Sequence, residues 1–354
     1  MDKQTHTKFN FNNFLIGLSS AFDHLKTSNQ QGVAFDSKRV CYISLRLYSY
    51  IQYDTKTLCD VAAYSMLSFI DFQVDKKKFP FLNKEFIENE QLGQIVELAL
   101  DVEKLIEERC NIVLNKEEIR KEILNSDKYS TNLKEYFDDL STDMIFWLEM
   151  MNKVQLPGYI YNFLDDHTQE VSYEDLIILS RAINQIVYQH TNTKSDEGIT
   201  KKCEVIGKKY LFENKDLSRL IIAANLQGIG KLFLPEEIFT KEEALDKKEQ
   251  EMIKMIPYFS GSTLGSVYGF EDISKLCLYS SEKLDGSGYL YELDSSSLSL
   301  KDRVLMILVI YHALVEDRPY RKQYSHKEAI DILKAEGYRG KLDISIIEDL
   351  EKLF

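Results

Sequence analysis

The sequence predicts an all-α protein folded as two helical bundles in tandem. Three observations lead there: long stretches free of helix breakers, apolar residues recurring at three- and four-residue steps, and no sustained apolar–polar alternation that would mark a strand. Five prolines and fifteen glycines in 354 residues keep the breakers sparse. In chain order, Phe14, Leu15, Leu18, Phe22 and Leu25 form one helical face. Val40, Ile43, Leu47 and Ile51 form a second, and Ile95, Leu98, Val102, Leu105 and Ile106 a third. A further helix is expected around Met144 to Met151, another from about Tyr173, and a strongly apolar one from about Leu300 to Leu314.

The two halves echo each other. Leu18-Ser-Ser-Ala-Phe22 matches Leu179-Ser-Arg-Ala-Ile183, Asp36-Ser-Lys-Arg-Val40 matches Ile199-Thr-Lys-Lys-Cys203, and Val61-Ala-Ala63 matches Ile222-Ala-Ala224, at offsets of 161, 163 and 161 residues. Three matches in near-constant register indicate a duplication. The expected domains are 1–160 and 173–354 with a linker at 161–172, and Pro157-Gly158 punctuates the approach to it.

A chain of this length can bury two cores, and 44% hydrophobic with 12% aromatic residues describes a folded globular protein. The net charge of −13 argues against binding along nucleic acid, where affinity comes from neutralising phosphates with Lys and Arg. It leaves room for a small anionic ligand at a local basic cluster. The cysteines Cys41, Cys59, Cys110, Cys203 and Cys277 are scattered, without CxxC spacing, and read as buried reduced thiols. Met1 to Lys8 lacks the apolar core of a signal peptide and no run approaches the length of a spanning helix, so no membrane association and a cytoplasmic location are expected.

Two loops flank the apolar helix at 300–314: Glu282-Lys-Leu-Asp-Gly-Ser-Gly-Tyr289 and Glu316-Asp-Arg-Pro-Tyr-Arg321. Together with Ile229-Gly-Lys231 they resemble the HD-GYP family, metal-dependent phosphodiesterases that open cyclic di-GMP. The resemblance covers the second half of the chain and implies an HD-type helical bundle. It also marks what has changed. Where the family places its His and Asp metal ligands, this chain has Ile199, Gln227, Gly228, Ile256, Ser280, Ser281 and Val309; only Glu282 is kept. Tyr289 is followed by Leu290 where the family has Pro. The first half resembles the degenerate leading domain of tandem members, with Met66-Leu67 in place of the His-Asp pair and Leu98–Glu103 in place of the last ligand helix.

A metal pair lowers the pKa of a water and clamps both oxygens of an in-line displacement. Gln, Gly, Ile, Ser and Val are a poor set to hold it. The resemblance therefore implies a catalytically inactive signalling protein without metal or cofactor, acting through cyclic di-GMP or through a protein partner such as a diguanylate cyclase. Its candidate contact residues are Lys231, Asp285, Gly286, Gly288, Tyr289, Arg318, Tyr320, Arg321 and Lys322. The cations among them suit phosphate and the guanine edge. The alternative is a divergent phosphodiesterase recruiting Glu282, Asp285 and His312 as ligands. A third reading is an interaction module whose former pocket is filled by Ile256 and Val309.

Overall fold

The structure is a computed structural model that describes residues 5–29, 35–51, 55–68, 89–109, 111–164, 168–192, 198–317, 319 and 321–354. It is all-α apart from one small sheet, in which β1 (His6–Phe9) pairs with β2 (Gln169–Ser172). The chain forms two compact units, one of residues 10–169 and one of residues 170–354 joined by β1.

The first unit contains α1 (Phe11–Asn29), α2 (Ser37–Tyr48), α3 (Thr55–Ser68), α4 (Glu90–Arg109), α5 (Ile112–Asn125), α6 (Thr131–Thr142), α7 (Met144–Met151) and α8 (Leu156–Tyr161). The expected apolar faces are its core: Phe14, Leu15, Leu18, Val40, Ile43, Leu47, Ile95, Leu98 and Val102 are all fully buried, while Leu25 and Ile51 at the edges are half-buried. Helix α2 lies at the centre, packed against α3, α4 and α8. Trp147 is fully buried and satisfies its indole N–H on Ser141 O at 2.8 Å. Without that partner the donor would carry a desolvation cost.

The second unit contains α9 (Tyr173–His190), α10 (Gly198–Lys209), α11 (Asn214–Leu226), a 3-10 turn (Ile229–Phe233), α12 (Glu237–Thr240), α13 (Lys247–Lys254), α14 (Ile256–Gly265), α15 (Glu271–Leu278), a second 3-10 turn (Tyr279–Ser281), α16 (Leu300–Val315), α17 (His326–Tyr338) and α18 (Ile344–Leu353). Helix α11 sits in the middle, in contact with α9, α10, α15 and α16. A buried polar chain ties three of these helices: Thr200 Oγ1 donates to Asn225 Oδ1, and Asn225 Nδ2 donates to Ser180 Oγ, both at 2.9 Å. Three starts are capping boxes, Asp246 with Glu249, Ser299 with Asp302 and Ser325 with Glu328, each satisfying two orphan N–H groups. Glu249, which as part of an acidic run reads as a plain solvated face, is thus one half of a cap and also pairs with Lys241 at 2.8 Å.

The described cysteines Cys41, Cys59, Cys203 and Cys277 are buried. Burial pushes the Cys41 and Cys203 thiols up to about 12 and Cys277 upward as well, so all three sit far from the thiolate form that reacts. The strand pairing is an element the sequence pattern does not announce. Four residues of β1 carry too little alternation to register, and their partner lies some 160 positions away.

Candidate functional site

Helix α11 ends where Gln227 N–H closes on Ala223 O at 2.8 Å, and the chain turns through buried Gly228 into Ile229–Phe233. Gly230 N–H donates to Ser260 Oγ (2.8 Å), and the Ser260 hydroxyl donates to Gln227 O (2.6 Å), so α14 holds the turn from the other side. A Cβ on Gly230 would fall 2.1 Å from Ile256 O. The glycine of Ile-Gly-Lys is therefore demanded by backbone approach, independent of any ligand. Gly230→Ala should lower unfolding free energy by about 1–3 kcal/mol in urea denaturation, because the obstacle is a carbonyl that cannot swing aside.

Around this turn Ile199, Ile256 and Val309, three of the ligand positions given by the resemblance, carry hydrocarbon, and Ser280 carries an engaged hydroxyl. Ile256 is 9% exposed and clusters with Leu234 and Ile238 under Phe233, Phe259 and Met252. Ile199 is buried at the start of α10, and Val309 is half-buried on α16. Ser280 Oγ donates to Cys277 O at 2.8 Å, and Ser281 O accepts from Tyr289 N–H at 3.4 Å. Lys231 is half-buried, its stem lying beside Gly228.

The loop after the second 3-10 turn is organised from beneath by Glu282. This side chain is fully buried; Oε1 accepts the Tyr291 N–H and Oε2 the Leu293 N–H, each at 3.0 Å. Gly288 crosses so close that a Cβ there would lie 2.5 Å from Glu282 Cα. Exposed Asp285 accepts both the N–H (3.0 Å) and the hydroxyl (2.6 Å) of Ser287, which hold its carboxyl below the usual range. Gly286 turns the chain at φ +77°, and Leu290 adopts φ +94°. Proline, locked near −65°, cannot take that conformation, which accounts for Leu290 where the family has Pro. Half-buried Tyr289 flanks the turn, and exposed Tyr291 meets Tyr279 edge-on at 5.9 Å.

Of the basic loop, Arg318 and Tyr320 lie outside the described residues. Arg321 is spent on the fold. Its Nη1 donates to Leu314 O and Lys322 O, both at 3.1 Å, and its Nη2 to Ala313 O at 2.5 Å, so the guanidinium caps the C-terminal carbonyls of α16 and stacks over Tyr324. Lys322 is exposed. His312 is buried, with Nε2 2.8 Å from Glu316 Oε1 and 3.3 Å from the Tyr188 hydroxyl.

These residues do not fit a divalent metal pair. Ile256, Val309 and Ile199 offer no lone pair, and both oxygens of Glu282 are taken by backbone N–H groups. Glu282, Asp285 and His312 do not assemble: among the described residues no group of three His, Cys, Asp or Glu side chains gathers in a way that could hold a metal ion. Among the described residues no helix is long and apolar enough to cross a membrane. Sequence reasoning missed the capping role of Arg321 and the anchoring role of Glu282. The first had only the weak signal of a cation shortly after the end of an apolar helix, which Arg318 and Lys322 share; the second had none, since its partners are main-chain groups nine and eleven residues on.

Known proteins place this arrangement in context. The HD domain family matches residues 178–346. A 3'3'-cGAMP-specific phosphodiesterase 1 of Vibrio cholerae is 29% identical over 216 residues, 59% of this chain and 49% of that protein. The cyclic di-GMP phosphodiesterase PdeB of Borreliella burgdorferi is 29% identical over 149 residues, 42% of this chain and 36% of that one. The chain thus spans about half, or less, of the length of these relatives. A crystal structure of a cyclic GMP-AMP-specific phosphodiesterase of V. cholerae superposes with a TM-score of 0.57 at 14% identity, covering 98% of this chain and 99% of that one; it shares the fold.

Proposed function

The chain belongs, through residues 178–346, to the HD-domain family and there to the HD-GYP type, and from that premise we propose that it is a cyclic-dinucleotide signalling protein whose second unit works by binding, without metal-assisted hydrolysis. The observation that carries this reading is the occupancy of the ligand positions. Seven no longer carry the His or Asp that the resemblance places there, Glu282 is committed to the loop and His312 to Glu316 and Tyr188. A bridging metal pair needs carboxylates and imidazoles with free lone pairs, and none are gathered among the described residues.

The ligand class comes from the relatives, which are named for 3'3'-cGAMP and cyclic di-GMP. Among the described candidate contact residues, Lys231 and Lys322 are point charges of the kind that suits a phosphodiester. A protein partner of the diguanylate cyclase kind is the other expected occupant, and the rigid loop 283–293 is the surface it would read. The second reading, a divergent phosphodiesterase, is favoured by those same relatives, every one of which is a phosphodiesterase by name.

Calorimetric titration of cyclic di-GMP into chelator-treated protein, with Lys231→Glu/Lys322→Glu alongside, tests the proposal. We expect micromolar binding that the double variant weakens at least tenfold, and no linear dinucleotide after incubation with Mn²⁺ or Fe²⁺. Appearance of linear product in step with metal uptake would establish the phosphodiesterase instead. A folded protein that binds no dinucleotide at all would leave the protein partner.

A further inference from the structure

Helix α14 presents a tyrosine whose ring is braced by the fold yet left open to solvent. Tyr258 is 50% exposed, and its hydroxyl makes no hydrogen bond among the described residues. It meets Phe259 edge-on at 5.9 Å between centroids, and Phe259 lies parallel on Phe233, 4.7 Å away with the planes 14° apart. These are the two arrangements aromatic rings prefer. Both phenylalanines pack on Leu234, Ile238 and Ile256 and stay half-buried. Helix α13 touches the same cluster through Met252 and Ile253 but buries none of its own side chains, so it does not seal the aromatics. Phe233 closes the turn that carries Lys231, and Gly230 of that turn rests against Ile256 O at the start of α14. The open ring and the cation thus come from two segments in backbone contact, beside Gln227, Gly228 and Ile256, where the resemblance places metal ligands.

We infer that Tyr258 is the base-stacking residue of the second unit: one purine of a cyclic dinucleotide lies on its open face while Lys231 meets the adjoining phosphodiester. The inference rests on the proposed binding of cyclic dinucleotides and adds the residue that receives the base. A nucleotide carries a flat π-face and a negative charge a few bonds apart. An open aromatic ring next to a lysine-bearing turn matches both. Stacking on an aromatic ring is sequence-tolerant, because every base has a π-face. The brace from Phe259 and Phe233 holds the Tyr258 ring in place before the ligand arrives, so little side-chain freedom is lost on binding. Met255, one turn earlier on the same face and 45% exposed, extends the apolar surface beyond the ring.

Calorimetric titration of cyclic di-GMP into the wild-type chain and into Tyr258→Ala, Tyr258→Leu and Tyr258→Phe is the test, with thermal midpoints to certify that each variant is folded. We expect Tyr258→Ala and Tyr258→Leu to weaken binding about tenfold and Tyr258→Phe to stay within about threefold, since only Phe keeps a π-face. Tyr338→Ala, which removes an exposed tyrosine at the end of α17, should match the wild type. A cyclic dinucleotide carrying 2-aminopurine reports the contact directly: its fluorescence should fall on binding to the wild type and to Tyr258→Phe, and the fall should shrink when Tyr258→Ala is saturated. Wild-type binding that Tyr258→Ala leaves intact overturns the inference while the proposed function stands. Tyr258→Leu binding as tightly as the wild type also overturns it, because an apolar contact without stacking would then suffice. A folded wild-type chain that binds no cyclic dinucleotide overturns both.

Discussion

Truncation of Glu282 to alanine should cost about 3–5 kcal/mol and release the loop between residues 283 and 293. Two charge-assisted bonds to backbone N–H groups are lost, each worth about 1.5–3 kcal/mol, and both donors remain where the carboxylate stood. Glu282→Gln keeps one acceptor and should lose about half as much. Urea denaturation gives the energies, and limited proteolysis gives the location, since new cleavage should appear within 283–293 before global unfolding. An unchanged cleavage pattern would mean the loop is held by its own turns, Asp285 to Ser287 and Leu284 N–H to Lys341 O. The variant also has a functional use. It disorders the loop without altering any of its exposed side chains, so a partner that reads loop shape is lost and a ligand bound at Lys231 is not.

The second large effect lies in the first unit. Arg39, 3% exposed on its side chain, sits 3.0 Å from the fully buried Glu103 and also pairs with Glu107, while Glu103 Oε1 accepts the Asp36 N–H at 2.9 Å. Burial drives the Glu103 pKa well up, and Arg39 opposes that rise. Glu103→Ala removes the most deeply buried partner of an interior guanidinium, leaving it to Glu107, and should destabilise the unit by about 3 kcal/mol. Replacing Arg39 and Glu103 together with Met and Leu should recover much of that. Nearby Asp23 is lifted from 3.8 to about 6, chiefly by burial, with Lys38 opposing. Between those values the folded chain holds a proton the unfolded chain has released. Stability of this unit therefore falls as pH rises from about 4 to about 6, by about 3 kcal/mol at 1.36 kcal/mol per pH unit. Asp23→Asn should flatten that slope in denaturation midpoints taken across the window. The second unit has the opposite sign at its surface: Asp285 and Glu328, held low by hydrogen bonds from Ser287 and Ser325, favour the fold above their ordinary range and lose that contribution as pH falls.

The segments whose duplication was read from sequence meet here. Arg39 lies within the stretch Asp36–Val40 matched to Ile199–Cys203, and Glu103 ends the one likened to the last ligand helix. The helical faces and the glycine of Ile-Gly-Lys were legible because each is a local pattern, a period or a residue without Cβ, whereas Pro157-Gly158, which reads as a break before the second domain, instead opens helix α8. The use of Arg321 as a cap was not, since a cation after a helix reads equally as a phosphate ligand until its carbonyl partners are in view. Glu282 was visible as a retained acid, and what it holds was hidden, because carboxylate-to-backbone bonds leave no mark on the residues that donate them. The burial of Arg39 with Glu103 escaped for a related reason: residues 64 positions apart carry no shared periodicity.

The pairing of β1 with β2 has a consequence for how the molecule is made. Everything from residue 10 to residue 168 is threaded between two strands of one sheet, so the first unit is topologically an insertion into the second. During synthesis at about 5–20 residues per second, His6–Phe9 emerges roughly 10–30 s before its partner strand exists. In that interval the inserted helices can complete their own core, and only afterwards does Phe9 find the ring of Phe270, 5.5 Å away in the finished sheet-side core. Residues 6–9 are thus seated after helices that are translated later than they are, and for this strand ribosomal order and folding order run in opposite directions.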